Sequence, residues 1–191
     1  MRGVLSATQM GFYAEQIVPH LIAFAMRTPE LAAYRQRVVP AARGRVLEIG
    51  IGSGLNLPLY GPGVTEIIGL DPSPKLIGMA AKQSGASRKP LSFLRSSAEA
   101  IPLDAGCVDT VVTTWTMCSI PHASSALAEM RRVLKPEGEL LFVEHGRAPE
   151  PRVALWQDRL DPLGKPVAGR MSSQPANRRD DQRGRFQVPR P

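Results

Sequence analysis

Glu48-Ile-Gly50-Ile-Gly52-Ser53-Gly54 is the segment of this 191-residue chain whose residue types and spacing point most directly to chemistry. Glycines let backbone approach a ligand closely, and a helix opening just beyond them would turn N–H groups toward a carboxylate or phosphate. The dinucleotide pattern G-x-G-x-x-G would need glycine at position 55, where Leu55 stands. The spacing is instead G-x-G-x-G behind an acid. A pyrophosphate favours a bare helix N-terminus, whereas a sulfonium-bearing amino acid also favours a carboxylate near its positive charges. Glu48 is placed to meet the amino-acid end of such a ligand, directly or through water. Asp71 closes the next strand-like run, where a carboxylate can accept hydrogen bonds from both hydroxyls of a ribose. Ser97-Ala98-Glu99 follows a third such run and would meet an adenine edge.

Fewer residues suggest acid–base or nucleophilic work. His145 follows the last strand-like run and is the candidate base. Its plainer reading is structural, as are those of Cys118 and His122, because small buried cysteines and loop histidines are common. Cys107 and Cys118 have no metal-ligand spacing and too few partners for a disulfide framework. A reducing compartment, and by default the cytoplasm, is expected.

Short apolar runs alternating with helical stretches must position these residues. Arg45 to Gly50, Thr65 to Leu70, Leu91 to Leu94, Val108 to Thr114 and Leu140 to Glu144 read as strands. Between them, Leu55 to Tyr60 reads as a short helix broken by Pro58, and Pro74 to Lys82 and Ser124 to Leu134 as longer ones. Pro136-Glu137-Gly138 reads as the turn into the last strand. Two helices precede the first strand. Residues 11–27 carry apolar positions at mostly helical spacing, and Thr28-Pro29-Glu30 reads as N-cap, N1 and acidic first turn of the second. Alternation of this kind predicts an α/β fold, a Rossmann-like, mostly parallel sheet with helices on both faces. Residues 1–44 would form helices acting as a lid and 45–168 the ligand-binding core. Residues 169–191, rich in Arg, Asp, Gln, Ser and Pro, would form a basic tail without structure.

The net charge of +7 invites a nucleic-acid reading, so its location matters. Residues 1–45 carry six Arg against two Glu, residues 46–146 eight Lys or Arg against ten acids, and residues 147–191 ten against five. The basic excess lies outside the core, so no specific nucleic-acid partner is expected. The most apolar stretch, Ile17 to Met26, is interrupted by Pro19 and His20. It predicts a lid, with peripheral membrane contact as its alternative, and not a span.

With these elements in order, the chain resembles the class I S-adenosylmethionine-dependent methyltransferases of the type 11 kind. LEIGIGSGLNLPLY (47–60), GLDPSPKLIGMA (69–80), SSAEAIPLDAGCVDTVV (96–112) and RRVLKPEGELLFVEHG (131–146) carry the resemblance. WTMCSIPH (115–122) and residues 143–162 look most like the small-molecule subgroup that includes alkyl-thiol methyltransferases. The resemblance implies that Gly50, Gly52 and Gly54 pack under S-adenosylmethionine, that Asp71 binds ribose, and that Ala98 and its neighbours contact adenine. It also implies a small-molecule acceptor: a thiol, amine, quinone or lipid head group. The family sheet has seven strands, so the last two are expected to be missing here. A cofactor-binding but inactive remnant is therefore one alternative function, and an NAD(P)-dependent oxidoreductase another.

Overall fold

The computed structural model describes residues 18–144 and 185–186. Helices α1 (Val18–Ala25) and α2 (Pro29–Val38) come first; Pro29 occupies the first turn of α2, with Glu30 beside it and Arg35 and Arg37 in the last turn. The core then runs β1 (Gly44–Ile49), β2 (Val64–Leu70), α3 (Pro74–Lys82), β3 (Leu91–Leu94), β4 (Val108–Thr114), α4 (Ala123–Val133), β5 (Leu134–Val143) and β6 (Arg185–Phe186). Ser73 caps α3 by accepting from the Leu76 N–H at 3.3 Å.

The strands form one sheet in the order β3-β2-β1-β4-β5-β6. β1 to β5 are parallel. The order reverses between β1 and β4, and the carboxyl ends flanking that reversal are where open α/β sheets bind ligands. On one face Leu47, Ile49, Ile68, Val111 and Leu140 pack against Ala126, Met130 and Val133 of α4. On the other, Val46, Ile67, Val112 and Leu141 pack against Val38 of α2, Ala80 of α3 and Leu57. Helices thus cover both faces, and burial on both sides explains the nearly unbroken apolar runs.

Three local features depart from the sequence expectation. Leu55 to Tyr60 forms a single 3-10 turn at Leu57–Leu59, since Pro58 cannot continue a helical hydrogen-bond ladder. β5 starts at Leu134, ahead of the expected turn. Leu134 pairs with Val108 and Glu139 with Thr110, so Pro136-Glu137-Gly138 is absorbed as a bulge. The tail is not wholly without structure: Arg185–Phe186 pairs antiparallel with Leu141 and Leu140 on the outer edge of β5. A composition argument weighs side-chain burial, whereas strand pairing uses backbone groups that every residue but proline offers. The remainder of the expected tail, and the start of the expected lid, lie outside the described residues.

Candidate functional site

The carboxyl ends of β1, β2 and β4 bring Glu48, the glycine loop, Asp71 and Trp115 together. The loop is hung on β2, because the N–H groups of Gly50 and Ile51 both bond to the Leu70 carbonyl, at 2.8 and 3.1 Å. Its three glycines serve different ends. Gly50 has φ +66, and a Cβ there would lie 2.4 Å from the Thr116 side chain, so the turn after β4 requires its absence. Gly54 is needed for contact with Leu57 and Ala80. At Gly52, φ +56, the nearest described atom to an added Cβ is the Gly50 carbonyl oxygen at 3.8 Å, an ordinary van der Waals contact without collision. Gly52→Ala should therefore cost only the left-handed backbone penalty, about 1–2 kcal/mol, while filling the crevice. Gly50→Ala should cost clearly more in a denaturant melt, because it adds a collision to the same penalty.

Asp71 is 4 % exposed. Its Oδ2 accepts from the Gly52 N–H at 3.1 Å and its Oδ1 from the Ser73 N–H at 2.8 Å. Each oxygen keeps a second lone pair for a ligand hydroxyl. Burial raises this carboxyl above its ordinary range, against those two bonds.

Glu48 is 1 % exposed and faces inward, on the α2 side of the sheet. Its Oε1 accepts from Asn56 Nδ2 and its Oε2 from the Tyr60 hydroxyl, both at 2.8 Å. Burial pushes its carboxyl up to about 7; those bonds and the nearby Arg35 charge pull the other way, while Asp71 adds to the rise. Tyr60 is in turn pushed well above the usual phenol range by burial and then by Glu48. Asn56 Nδ2 also donates to Thr114 Oγ1 at 3.2 Å, and Asn56 Oδ1 is buried with no partner among the described residues.

Trp115, at the end of β4, has φ +52, a rare conformation for a bulky residue. Its N–H is bonded to the Val143 carbonyl at 2.7 Å. Tyr34 of α2 meets its ring edge-on at 6.5 Å, and the Arg35 guanidinium lies 4.6 Å from the ring centre. The turn behind it is gathered by Glu144, which accepts from Thr113 Oγ1 at 2.9 Å and from the N–H groups of Thr116 and Met117 at 3.1 and 3.2 Å.

The third expected element follows β3. Ser97 Oγ accepts from the Glu99 N–H and donates to Glu99 Oε2, both at 3.2 Å, and Glu99 Oε1 accepts from the His122 N–H at 2.7 Å. Ala98 packs in the core beneath α4. These residues tie the loop after β3 to the start of α4. His122 is exposed. The Cys118 thiol is pushed up by burial and then by Glu144, which holds it protonated. His145 lies outside the described residues.

Sequence reasoning missed Arg35, Asn56, Tyr60 and Trp115. Asn56 and Tyr60 are polar residues in an otherwise apolar stretch after Glu48, which is a usable signal. Arg35 and Arg37 look alike in sequence, and only the fold separates the buried one from the exposed one.

A family model described as "Methyltransferase domain" matches residues 47–142. The chain belongs to that family. Among relatives, thiol S-methyltransferase TMT1B of Homo sapiens is 35 % identical over 133 residues, which is 66 % of this chain and 54 % of the human one. Phosphatidylethanolamine N-methyltransferase of Cereibacter sphaeroides is 35 % identical over 109 residues, 56 % of this chain and 53 % of that protein. The crystal structure of the YcgJ protein from Bacillus subtilis superposes with a TM-score of 0.58 at 25 % identity, over 82 % of this chain and 62 % of that one. The chain thus spans about half the length of the curated relatives it matches. Its methyltransferase-family core is the part they share.

Among the described residues no three His, Cys, Asp or Glu side chains could hold a metal ion together. For S-adenosylmethionine the donor set fits. Gly52 leaves room, Asp71 has spare acceptor positions, and the unpartnered Asn56 oxygen lies beside an acid that a cation would stabilise.

Proposed function

We propose that the protein is an S-adenosylmethionine-dependent methyltransferase acting on a small-molecule acceptor, with thiols as the first class to test. The observation that carries this reading is Asp71, a buried carboxylate with spare acceptor positions that bonds the Gly52 N–H, at a loop position where a side chain is not crowded by its neighbours. Asp71 holds the ribose hydroxyls. Glu48 and Asn56 complement the positive amino-acid end from below the loop. Ser97, Ala98 and Glu99 border the adenine. The bound cofactor supplies an electrophilic methyl on a sulfonium, whose leaving group is already good. The chain's own part is then to orient that methyl toward the acceptor and exclude water, with Trp115 and α2 closing over the strand ends. A thiol acceptor loses its proton before binding or at one nearby base, so a buried triad is not required.

Calorimetry with S-adenosylmethionine on wild type, Asp71→Ala and Gly52→Ala tests the reading. Asp71→Ala is expected to lose about 1.5 to 3 kcal/mol of binding, the range for hydrogen bonds to a charged group. Gly52→Ala should stay folded and bind weakly. Undiminished binding in both variants, or equal affinity of the wild type for NAD, would discard the pocket as drawn. Cofactor binding without turnover of thiols, amines, phenols or quinones would instead favour an inactive remnant.

A peripheral membrane contact is a separate proposal, resting on Phe24 and Leu21 of α1, 79 % and 53 % exposed. Among the described residues no helix is long and apolar enough to cross a membrane. Failure to sediment with anionic lipid vesicles would remove the contact.

A further inference from the structure

Arg35 is 4 % exposed in α2, yet a guanidinium keeps its charge and carries five N–H donors. Among the described residues it makes one hydrogen bond, from Nη1 to the Met26 carbonyl at 2.9 Å. Its flat face is occupied by the Trp115 ring. Stacking uses the face of the fork and leaves the edge, where the other donors point. Arg35 also lines a cavity of about 160 Å³ with Arg27, Gln36, Met26, Leu55 and Leu59. That is room for several water molecules, and so for a carboxylate group. Two cations and an amide border it, and no acidic side chain among the described residues does. Leu55 directly follows Gly54, so the cavity adjoins the glycine loop.

We propose that this cavity is a carboxylate receptor, with Arg35 as its two-pronged donor and the exposed Arg27 and Gln36 at its rim. A buried guanidinium needs a counter-ion, and bidentate pairing with a carboxylate matches its geometry. Glu48, the acid whose charge acts on Arg35, supplies only part of a counter-charge near neutral pH, and burial pulls Arg35 below its ordinary range despite it. Resting on the methyl-transfer reading for its ligands, the inference admits two sources of carboxylate. One is the amino-acid end of the cofactor, whose ammonium would then lie toward Glu48. The other is a carboxylate on the methyl acceptor.

The test compares ligands differing only in that group. If the cofactor is the source, wild type binds S-adenosylmethionine about ten- to a hundredfold more tightly than its decarboxylated analogue. Arg35→Met then removes this preference and leaves the analogue's affinity unchanged, which also reports that the variant is folded. If the acceptor is the source, Arg35→Met leaves cofactor binding alone but raises KM for 3-mercaptopropionate relative to propanethiol by a similar factor. Should Arg35→Met not fold, Arg35→Lys keeps the charge without the fork and is expected to lose most of either preference. Both preferences unchanged within twofold would overturn the receptor. Should wild type bind neither adenosyl compound, the cofactor reading fails separately. The receptor is then read by thermal stabilisation with propionate, and equal stabilisation of wild type and variant overturns it.

Discussion

Raising the pH from about 5 to 8 is expected to destabilise the ligand-free protein by about 3 kcal/mol, the reverse of ordinary behaviour for a carboxylate-rich domain. The cause is Glu48, whose carboxyl stands at about 7 in the fold against 4.5 when unperturbed. A raised carboxyl means that the folded chain holds its proton where the unfolded chain has released it. Stability therefore falls as pH climbs from 4.5 and levels off above 7, and 2.5 pH units at 1.36 kcal/mol each gives the magnitude. Asp71 and Glu144, also raised by burial, act in the same direction. On the acid side Glu129, drawn down to about 2 by Arg132, and Asp109, drawn down by Lys135, lose their contribution as they protonate. Maximal stability should then lie near pH 5, as read by urea unfolding at constant ionic strength. Glu48→Gln should flatten the slope. Its amide oxygen can accept from Asn56 and its NH₂ can donate to the Tyr60 oxygen, so the variant folds. Equal unfolding midpoints for wild type at pH 5 and pH 8 would show that Glu48 titrates normally. A cation seated beside Glu48 reverses the linkage, so S-adenosylmethionine should bind more tightly at pH 8 than at pH 6 and release a proton near pH 7.

The centre of the sheet was legible because its strands are buried on both faces, and Val108 to Thr114 could be bounded to the residue for that reason. Leu91 to Leu94, a partly buried edge strand, was bounded instead by its short apolar run between Pro90 and Arg95. The glycine loop was legible as a loop, but the separate reasons for Gly50, Gly52 and Gly54 were not. Those reasons lie in Thr116, Leu57 and Ala80, and the collision at Gly50 comes from 66 residues away in the chain. Glu48 illustrates the same limit. Its position at a strand's carboxyl end follows from sequence, but its burial depends on which way the pleat turns and on Asn56 and Tyr60 coming back over it. The expectation of a tail without structure rested on its composition, and the pairing at Arg185–Phe186 uses backbone that composition does not weigh. Sequence patterns thus located the crevice, while its electrostatics arise from contacts between loops that those patterns do not connect.

Removing Glu144 should do the most damage to the site for a single side chain at its edge. Its carboxylate is the shared acceptor for two backbone N–H groups and one hydroxyl of the turn after β4. Glu144→Ala leaves those donors unpaired, and two orphaned, partly buried N–H groups at about 1–3 kcal/mol each put the expected loss at about 3 kcal/mol or more. The same turn holds Trp115 at φ +52, a strained state that persists only while its surroundings enforce it. Once released, Trp115 should relax toward an ordinary conformation, leave Arg35 and Tyr34, and gain water. In a Trp156→Phe background, which leaves Trp115 as the sole tryptophan, this should appear as red-shifted emission below the melting temperature. Glu144→Gln should fall between wild type and alanine, since an amide oxygen still accepts while its NH₂ opposes a donor. The damage should also reach the glycine loop, because Thr116 fills the space that Gly50 leaves open. Weaker S-adenosylmethionine binding should therefore accompany the spectral shift. A stability loss under about 1 kcal/mol with unchanged emission would mean that the strand ends, and not Glu144, hold Trp115 over the crevice.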